Sequence, residues 1–433
     1  MVLYKFLQRV ANTIGIKPNK TKAHLIGLLS RNEHYKPCDS LIMNLITMTR
    51  IKYLITIVLL LILANASYGQ DVPELHLGGA LRFNYNYSTW KEGQKNRGGD
   101  FGYDVFYLDV NAKYKGLYLD GEYRVYSKSF GGGFLKRGFV GYDFSDHNNL
   151  QIGLTKVPFG IATNSHNWFF GLNYYLGFED DYDMGIKYSH SDDHWDYAIA
   201  FFKNAEELDF GSNSDVSNSR YAYDIGSLSN QDGSLSYRNK EVNQGNVSTS
   251  YKFGADNWHH KIGLSAEYGG LYNLDTKKSG HHHAIALNYE LDVNRWDFKA
   301  QVTNYGYHAV APSGESKEVV AMTAYGAPYL VASKANLYTL ASGYTLPLHL
   351  GPISSVVLYD DFGIMDKMHE GFANSYMNVT GAMFTAGPVI TFLDIAAGKN
   401  HPWLGPDWTD GLGAGNPDAN WSVRCNLNLG FYF

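Results

Sequence analysis

The chain has 433 residues and carries 36 basic against 42 acidic side chains. The first 69 residues hold nine of the bases and two of the acids, so the remainder has a net charge near −13, which argues against a nucleic-acid-binding surface. Cys38 and Cys425 are the only cysteines, so the chain beyond residue 69 cannot form an internal disulfide; nor does it contain a run of about 18 apolar residues for a membrane helix.

In chain order, the first readable signal begins at Met48, with MTRIKYLITIVLLLILANASYGQ. Arg50 and Lys52 form a charged start, Leu54 to Leu63 is apolar except for Thr56, and Ser67-Tyr68-Gly69 offers a small-x-small cleavage site. This is the pattern of a secretory signal peptide over 48–69, too short to span a membrane as a stable helix. Cleavage is expected before Gln70, with cleavage after Ala66 as the competing choice. Residues 1–47 precede an export signal and are read as a mis-called upstream extension, with Met48 or Met43 the initiator. The barrel is therefore expected to begin at Gln70.

From there the chain alternates. Leu75, Leu77, Leu81, Phe83, Tyr85 and Tyr87 fall on one face of a first strand, with His76, Arg82, Asn84 and Asn86 on the other. Phe106, Leu108, Val110, Ala112 and Tyr114 repeat the pattern. After a turn at Lys115-Gly116, so do Leu117, Leu119, Tyr123 and Val125. Further strands are expected near 135–145, 149–158, 184–191, 195–203, 240–253, 258–272, 281–293, 295–307, 334–346, 353–363, 375–386, 389–398 and 421–433. That makes sixteen, with 319–330 readable as another. Their lengths suit tilted membrane strands. The last is the clearest: Trp421, Val423, Cys425, Leu427, Leu429, Phe431 and Phe433 form an apolar row against a polar or small one. A terminal amphipathic strand ending on Phe433 is how outer-membrane barrels finish, and assembly machinery reads that end.

Connections alternate between short and long, as in barrels with periplasmic turns and extracellular loops. The fold expected over 70–433 is an all-β, antiparallel, up-and-down transmembrane barrel of about 16 strands in the bacterial outer membrane. At that width an aqueous channel remains. The expected lumen rows are polar: Tyr107, Asp109, Asn111 and Lys113; Glu122, Arg124, Tyr126 and Lys128; Lys187; and Asp360. Unpaired buried charges are costly, so a water-filled interior is expected.

Several stretches are similar to the phosphate-selective porin O and P family. They are LQIGLTKVPFG at 150–160, FEDDYDMGIKY at 178–188, YGAPYLVASKANLYT at 325–339, GYTLPLHLGPISSVVLYDDF at 343–362, and the final NLNLGFYF. The resemblance implies a sixteen-stranded barrel, commonly a homotrimer, with one long loop folded into the channel; the matching loop is about 159–183. It also implies anion selectivity from lumenal Arg and Lys. Here the loop has no base and holds Glu179, Asp180, Asp181 and Asp183, with Lys156 and Lys187 flanking it. Arg82, Arg124, Lys128 and Arg137 are scattered candidates for the wall above. If the loop folds inward, the four carboxylates outweigh the two lysines and a weakly cation-preferring or nearly non-selective pore is expected; if they point outward to bind divalent ions, the lysines govern and anions win.

Other chemistry is weaker. His281-His282-His283 cannot chelate together, because neighbouring strand residues face opposite ways; a solvated loop edge is the expected setting. The acidic quartet is read as loose divalent binding beside lipopolysaccharide phosphates rather than a tight metal site. No Gly-rich phosphate loop, GxSxG or HExxH occurs, and no cofactor or enzymatic activity is expected. The function expected is an outer-membrane porin for small hydrophilic solutes or anions, with lipid, lipopolysaccharide and assembly machinery as partners and no nucleic acid. The alternative is an outer-membrane enzyme or surface-binding barrel acting through its long loops, which a narrow, plugged lumen would favour.

Overall fold

The computed structural model describes residues 73–206 and 218–433. The expectations for 1–47 and for a signal peptide at 48–69 lie outside the described residues.

Alternation converts into a closed wall. The strands are β1 (Glu74–Ser88), β2 (Asp100–Tyr114), β3 (Leu117–Tyr126), β4 (Gly133–Ser145), β5 (Asn148–Lys156), β6 (Tyr182–Ser191) and β7 (Trp195–Ala205). Three short strands follow: β8 (Asp224–Ile225), β9 (Leu228–Ser229) and β10 (Leu235–Ser236). Then come β11 (Asn239–Ala255), β12 (Trp258–Asn273), β13 (Lys278–Val293), β14 (Trp296–His308), β15 (Val319–Thr323) and β16 (Tyr329–Ala332). The chain ends with β17 (Lys334–Leu350), β18 (Ile353–Lys367), β19 (Ser375–Ala386), β20 (Val389–Lys399) and β21 (Ser422–Tyr432). Sixteen of them, all but β8–β10, β15 and β16, pair antiparallel with their neighbours in sequence order. β21 returns to β1 with Leu81 opposite Phe431, and Gly79 and Phe433 exchange two backbone hydrogen bonds of 3.0 Å. Closure leaves no edge, which lipid would not tolerate.

The outward row is apolar. Leu77, Leu108, Ile152, Ile199, Leu264, Ile285, Leu340 and Leu393 are each about half exposed on the bare protein surface. Exposed apolar surface on this scale is a liability in water and the normal outer face of a transmembrane barrel. Trp195 and Tyr251 (ring centroids 4.8 Å apart), with Trp296 and Tyr344 (4.6 Å), form part of an aromatic girdle near the short turns. Cys425, a free cysteine, sits on the outward row of β21 beside Leu427 and Leu429.

The strand readable at 319–330 exists, but not in the wall. β15 pairs with β16 and with β8 in a three-stranded sheet separate from the barrel. Histidine placement also differs from expectation. His282 is buried, and only its neighbours His281 and His283 reach the outside, where they stack on His308 with centroids 4.5 and 5.6 Å away. The triplet lies within β13, so alternation separates its side chains as expected, whereas the solvated loop edge is not what surrounds them.

Candidate functional site

The long loop after β5 turns into the barrel. Its base is pinned by Val157 N donating to Asp181 O at 2.9 Å. Gly160 has φ +59°, and a Cβ there would lie 2.7 Å from Gln301 Oε1, so glycine lets the chain pass close to the wall. Polar side chains of the inward rows then take up the loop backbone. Gly160 N donates to Ser265 Oγ (3.1 Å) and Ile161 N to Gln301 Oε1 (2.8 Å). Asn164 N and Ser165 N donate to the two oxygens of Asp361 (3.2 and 2.5 Å). Lys299 Nζ donates to Ala162 O (3.2 Å), and Asn173 Nδ2 to Thr339 Oγ1 (2.8 Å). The loop therefore crosses from β5 to the opposite wall.

Its apolar residues do not face water. Phe169, Phe170, Leu172, Tyr174, Tyr175, Leu176 and Phe178 are buried in a core shared with Tyr221, Tyr223, Tyr325 and Tyr329. Tyr174 and Tyr325 hydroxyls meet at 2.6 Å, and Tyr329 donates to Tyr175 O at 2.7 Å. The lumen, expected to be open water, is substantially filled at this level: the inward loop and the β8–β15–β16 sheet bury their aromatic residues against one another. A vestibule of about 770 Å³, lined by Trp90, Trp168, Trp403 and Trp408 among others, adjoins a small cavity of about 50 Å³, the neck, with which it shares Asp104, Phe130, Trp168, Trp403 and Arg424. Arg82, Arg124 and Arg424 line that neck with Asp104, Asn167 and aromatic rings. Toward the short turns lies a chamber of about 360 Å³ bordered by Lys156, Lys187 and Lys261.

The charged candidates separate into distinct settings. Arg82 donates to Asp104 through Nε (2.8 Å) and Nη2 (2.5 Å), and to Asn167 O (3.1 Å). Arg124 donates to Glu122 Oε1 at 2.5 Å and lies over the rings of Tyr107 and Tyr221, with centroid distances of 5.0 and 4.7 Å. Arg137 pairs with Asp109 and Asp120, both at 2.7 Å, and with Glu122. Lys187 donates to Lys156 O at 2.7 Å. Lys128 and Asp360 leave the predicted lumen rows. Lys128 falls in a 3₁₀ turn (Lys128–Phe130) beyond β3 and is exposed. In β18 it is Asp361 that points inward, while Asp360 lies on the outward side with Leu358 and accepts from Asn378 Nδ2 at 3.1 Å.

The four carboxylates of the loop point inward with it, yet none borders the vestibule, neck or chamber. Glu179 accepts from Thr163 N (3.0 Å) and Thr163 Oγ1 (3.1 Å), and burial pushes its carboxyl up to about 7. Asp180 is also buried, but the ammoniums of Lys136 (3.0 Å) and Lys156 (3.2 Å) outweigh that burial and hold its carboxyl well below the usual range. Asp181 and Asp183 are buried on the far side of the loop base, near Asp224.

Two residues of this site escape simple alternation, and a third keeps to it. In the β1–β2 register Arg82 opposes Val105 and Phe83 opposes Tyr103, so Asp104 is the extra residue of a bulge and turns inward to meet Arg82. In β3–β4, Glu122 opposes Arg137 and Tyr123 opposes Leu135, which makes Lys136 a second bulge residue. Adjacent bases at 136–137 were the available signal, since regular alternation would put one of them in lipid. Arg424 belongs to the polar row of β21; its Nε donates to Ser88 Oγ (3.0 Å) and its guanidinium covers Trp90 (5.0 Å). Among the described residues it has no carboxylate partner.

No protein-family model matches the chain, and no curated protein matches it. Solved structures do. The outer membrane channel DcaP of Acinetobacter baumannii is 10% identical, with 84% of this chain and 99% of that one covered and a TM-score of 0.50. An anion-selective porin from Comamonas acidovorans is 11% identical over 84% of this chain and all of the other, with a TM-score of 0.49. OmpT of Vibrio cholerae is 10% identical over 84% and 99%, also at 0.49. At such identity the likeness to DcaP concerns the fold alone: the chain has a porin-type barrel. With its apolar outside, aromatic girdle and edge-free wall, it is an outer-membrane barrel of the bacterial kind.

Proposed function

We propose that this barrel is a channel for small hydrophilic solutes whose narrow neck prefers anions. The observation that carries the reading is the distribution of charge along the passage. Asp180 is neutralised between Lys136 and Lys156, while Arg424 faces the neck with no carboxylate partner among the described residues. In a space of about 50 Å³, fixed charge nearby outweighs charge a screening length away, about 8–10 Å at ordinary salt. The acids of the constriction loop thus weigh less than their number suggests. The resemblance to phosphate-selective porins adds a finer reading, in which phosphate is a favoured anion and the barrel assembles as a homotrimer.

Reversal potentials across planar bilayers in a KCl gradient test this. The expected sign is that of anion preference, reduced by Arg424→Ala, with phosphate depressing the chloride current. A cation-selective potential that Arg424→Ala leaves unchanged overturns the reading. The filled lumen favours a second one, a surface-binding barrel that captures its ligand in the aromatic vestibule. In that case no conductance appears, and ligand binding quenches tryptophan fluorescence in a way that Trp403→Phe and Trp408→Phe diminish.

A further inference from the structure

Six buried carboxylates gather where the inward loop rejoins the wall. Asp181 closes the loop, Asp183 lies in β6, Glu206 follows β7, Asp224 is on β8, and Glu241 and Glu267 are on β11 and β12; none exceeds 8% exposure. One oxygen each from Asp181, Asp183 and Asp224 lies within 4.8 Å of the others. Arg220 brings one positive charge, its Nη1 3.1 Å from Asp224 Oδ2.

Two threonines point to a ligand independently of the acids. Thr155 opposes Asp183 across β5 and β6, and Thr323 opposes Asp224 across β15 and β8. Residues opposed in an antiparallel pair share a sheet face, so each threonine side chain lies on the side of its acid. Both are fully buried, and among the described residues neither Oγ1 has a hydrogen-bond partner. Asp183 Oδ1 and Glu206 Oε2 are likewise buried with no donor among the described residues. Oxygens left like this cost free energy in an apolar surround unless something positive unites them. A hard divalent cation does so, and oxygens on one calcium at about 2.4 Å stand no more than about 4.8 Å apart.

We propose that Asp181, Asp183 and Asp224 hold a calcium-sized divalent cation, with the Thr155 and Thr323 hydroxyls in the surrounding oxygen shell. Calcium is preferred over magnesium because it accepts six to eight oxygens in an irregular arrangement, and these come from separate segments of the chain. The ion links the base of the inward loop to the β8–β15–β16 sheet. Unlike loose binding at an exposed acidic loop, this site is enclosed. It does not depend on whether ions pass through the barrel.

The test uses the full barrel refolded in detergent and stripped with EGTA. Terbium is added as a calcium probe, with luminescence excited through tyrosine; Tyr182 lies between two of the ligands in the chain, and Tyr223 precedes the third. One terbium per chain, displaced by calcium, is expected, and calcium should raise the melting temperature. Asp183→Asn with Asp224→Asn should abolish both responses, whereas Asp360→Asn should leave them intact. Thr155→Val, a milder change, should weaken terbium binding about tenfold, in the range typical of groups supporting a metal site. If stripped wild-type protein binds no single terbium, or if binding survives the double substitution, the proposal is wrong. Amide variants that melt higher than wild type, with no calcium effect in either, overturn it equally, because the acids are then merely protonated neighbours.

Discussion

Asp361 holds the constriction loop by its backbone. Its oxygens accept the N–H groups of Asn164 and Ser165 at 3.2 and 2.5 Å, so Asp361→Ala strands two donors worth about 1–3 kcal/mol each. The variant is expected to exchange those two amide hydrogens faster and to show larger fluctuations in single-channel current. Unchanged exchange would mean that the remaining anchors, such as Gln301 and Lys299, carry the loop by themselves. His401 presents a different case. It lies beyond β20, buried edge-on against Tyr175 at 4.6 Å, and burial with Arg424 nearby lowers its pKa to about 3. The unfolded chain takes up a proton near 6.5 and the folded one does not, so stability is constant above 6.5 and falls as the pH drops below it. At pH 5 the loss should be about 2 kcal/mol. Urea titration of the refolded barrel at pH 8 and pH 5 checks this, since His401→Gln should flatten the difference by that amount.

At the scale of elements, facing and closure govern stability. Leu108 and Asn111 lie on the same strand, with Leu108 48% exposed toward lipid and Asn111 on the opposite row. A charge at mid-membrane on the lipid side costs about 2–4 kcal/mol. Leu108→Arg should lower folding stability in liposomes by that amount, and Asn111→Arg should change it little; equal effects would erase the facing. β21 closes the wall, and Phe433 reaches over Gly79, where a Cβ would come within 3.0 Å of the ring and 2.3 Å of Tyr107 O. Removing Phe433 is expected to reduce the heat-modifiable barrel recovered from outer membranes. Normal recovery and a normal gel shift would show that β21 assembles without its terminal residue.

For the whole molecule, wall and filling are separable. The sixteen-stranded wall closes through its own backbone pairing, whereas the loop from Val157 to Asp181 is held by side chains that hydrogen-bond to it from β12, β14, β17 and β18. Replacing 164–177 with a short Gly-Ser link should keep the heat-dependent gel shift and raise conductance several-fold. If the shift is lost, the filling is needed for the wall to stand. If it persists without any gain in current, the channel reading itself fails and the vestibule becomes the working site.

Strand order and facing were legible in the chain because lipid and lumen impose opposite chemistry on successive residues. Phe106 through Tyr114 and Trp421 through Phe433 state their rows residue by residue, and short turns such as Lys115-Gly116 mark where the chain reverses. The inward course of 159–183 was an expectation carried by resemblance. Local pattern does not say where a loop goes, since its partners Ser265, Gln301 and Asp361 lie 100 or more residues away. Nor could alternation reveal Asp104 and Lys136, because a bulge inserts one residue and turns two neighbours to the same side. Counting four acids in the loop predicted their charge but not its effect. That depends on what each acid touches: Thr163 for Glu179, two lysines for Asp180, and other acids for Asp181 and Asp183. Side-chain charge is written in the sequence, while its partner, its burial and therefore its electrostatic reach are decided only when the barrel closes around it.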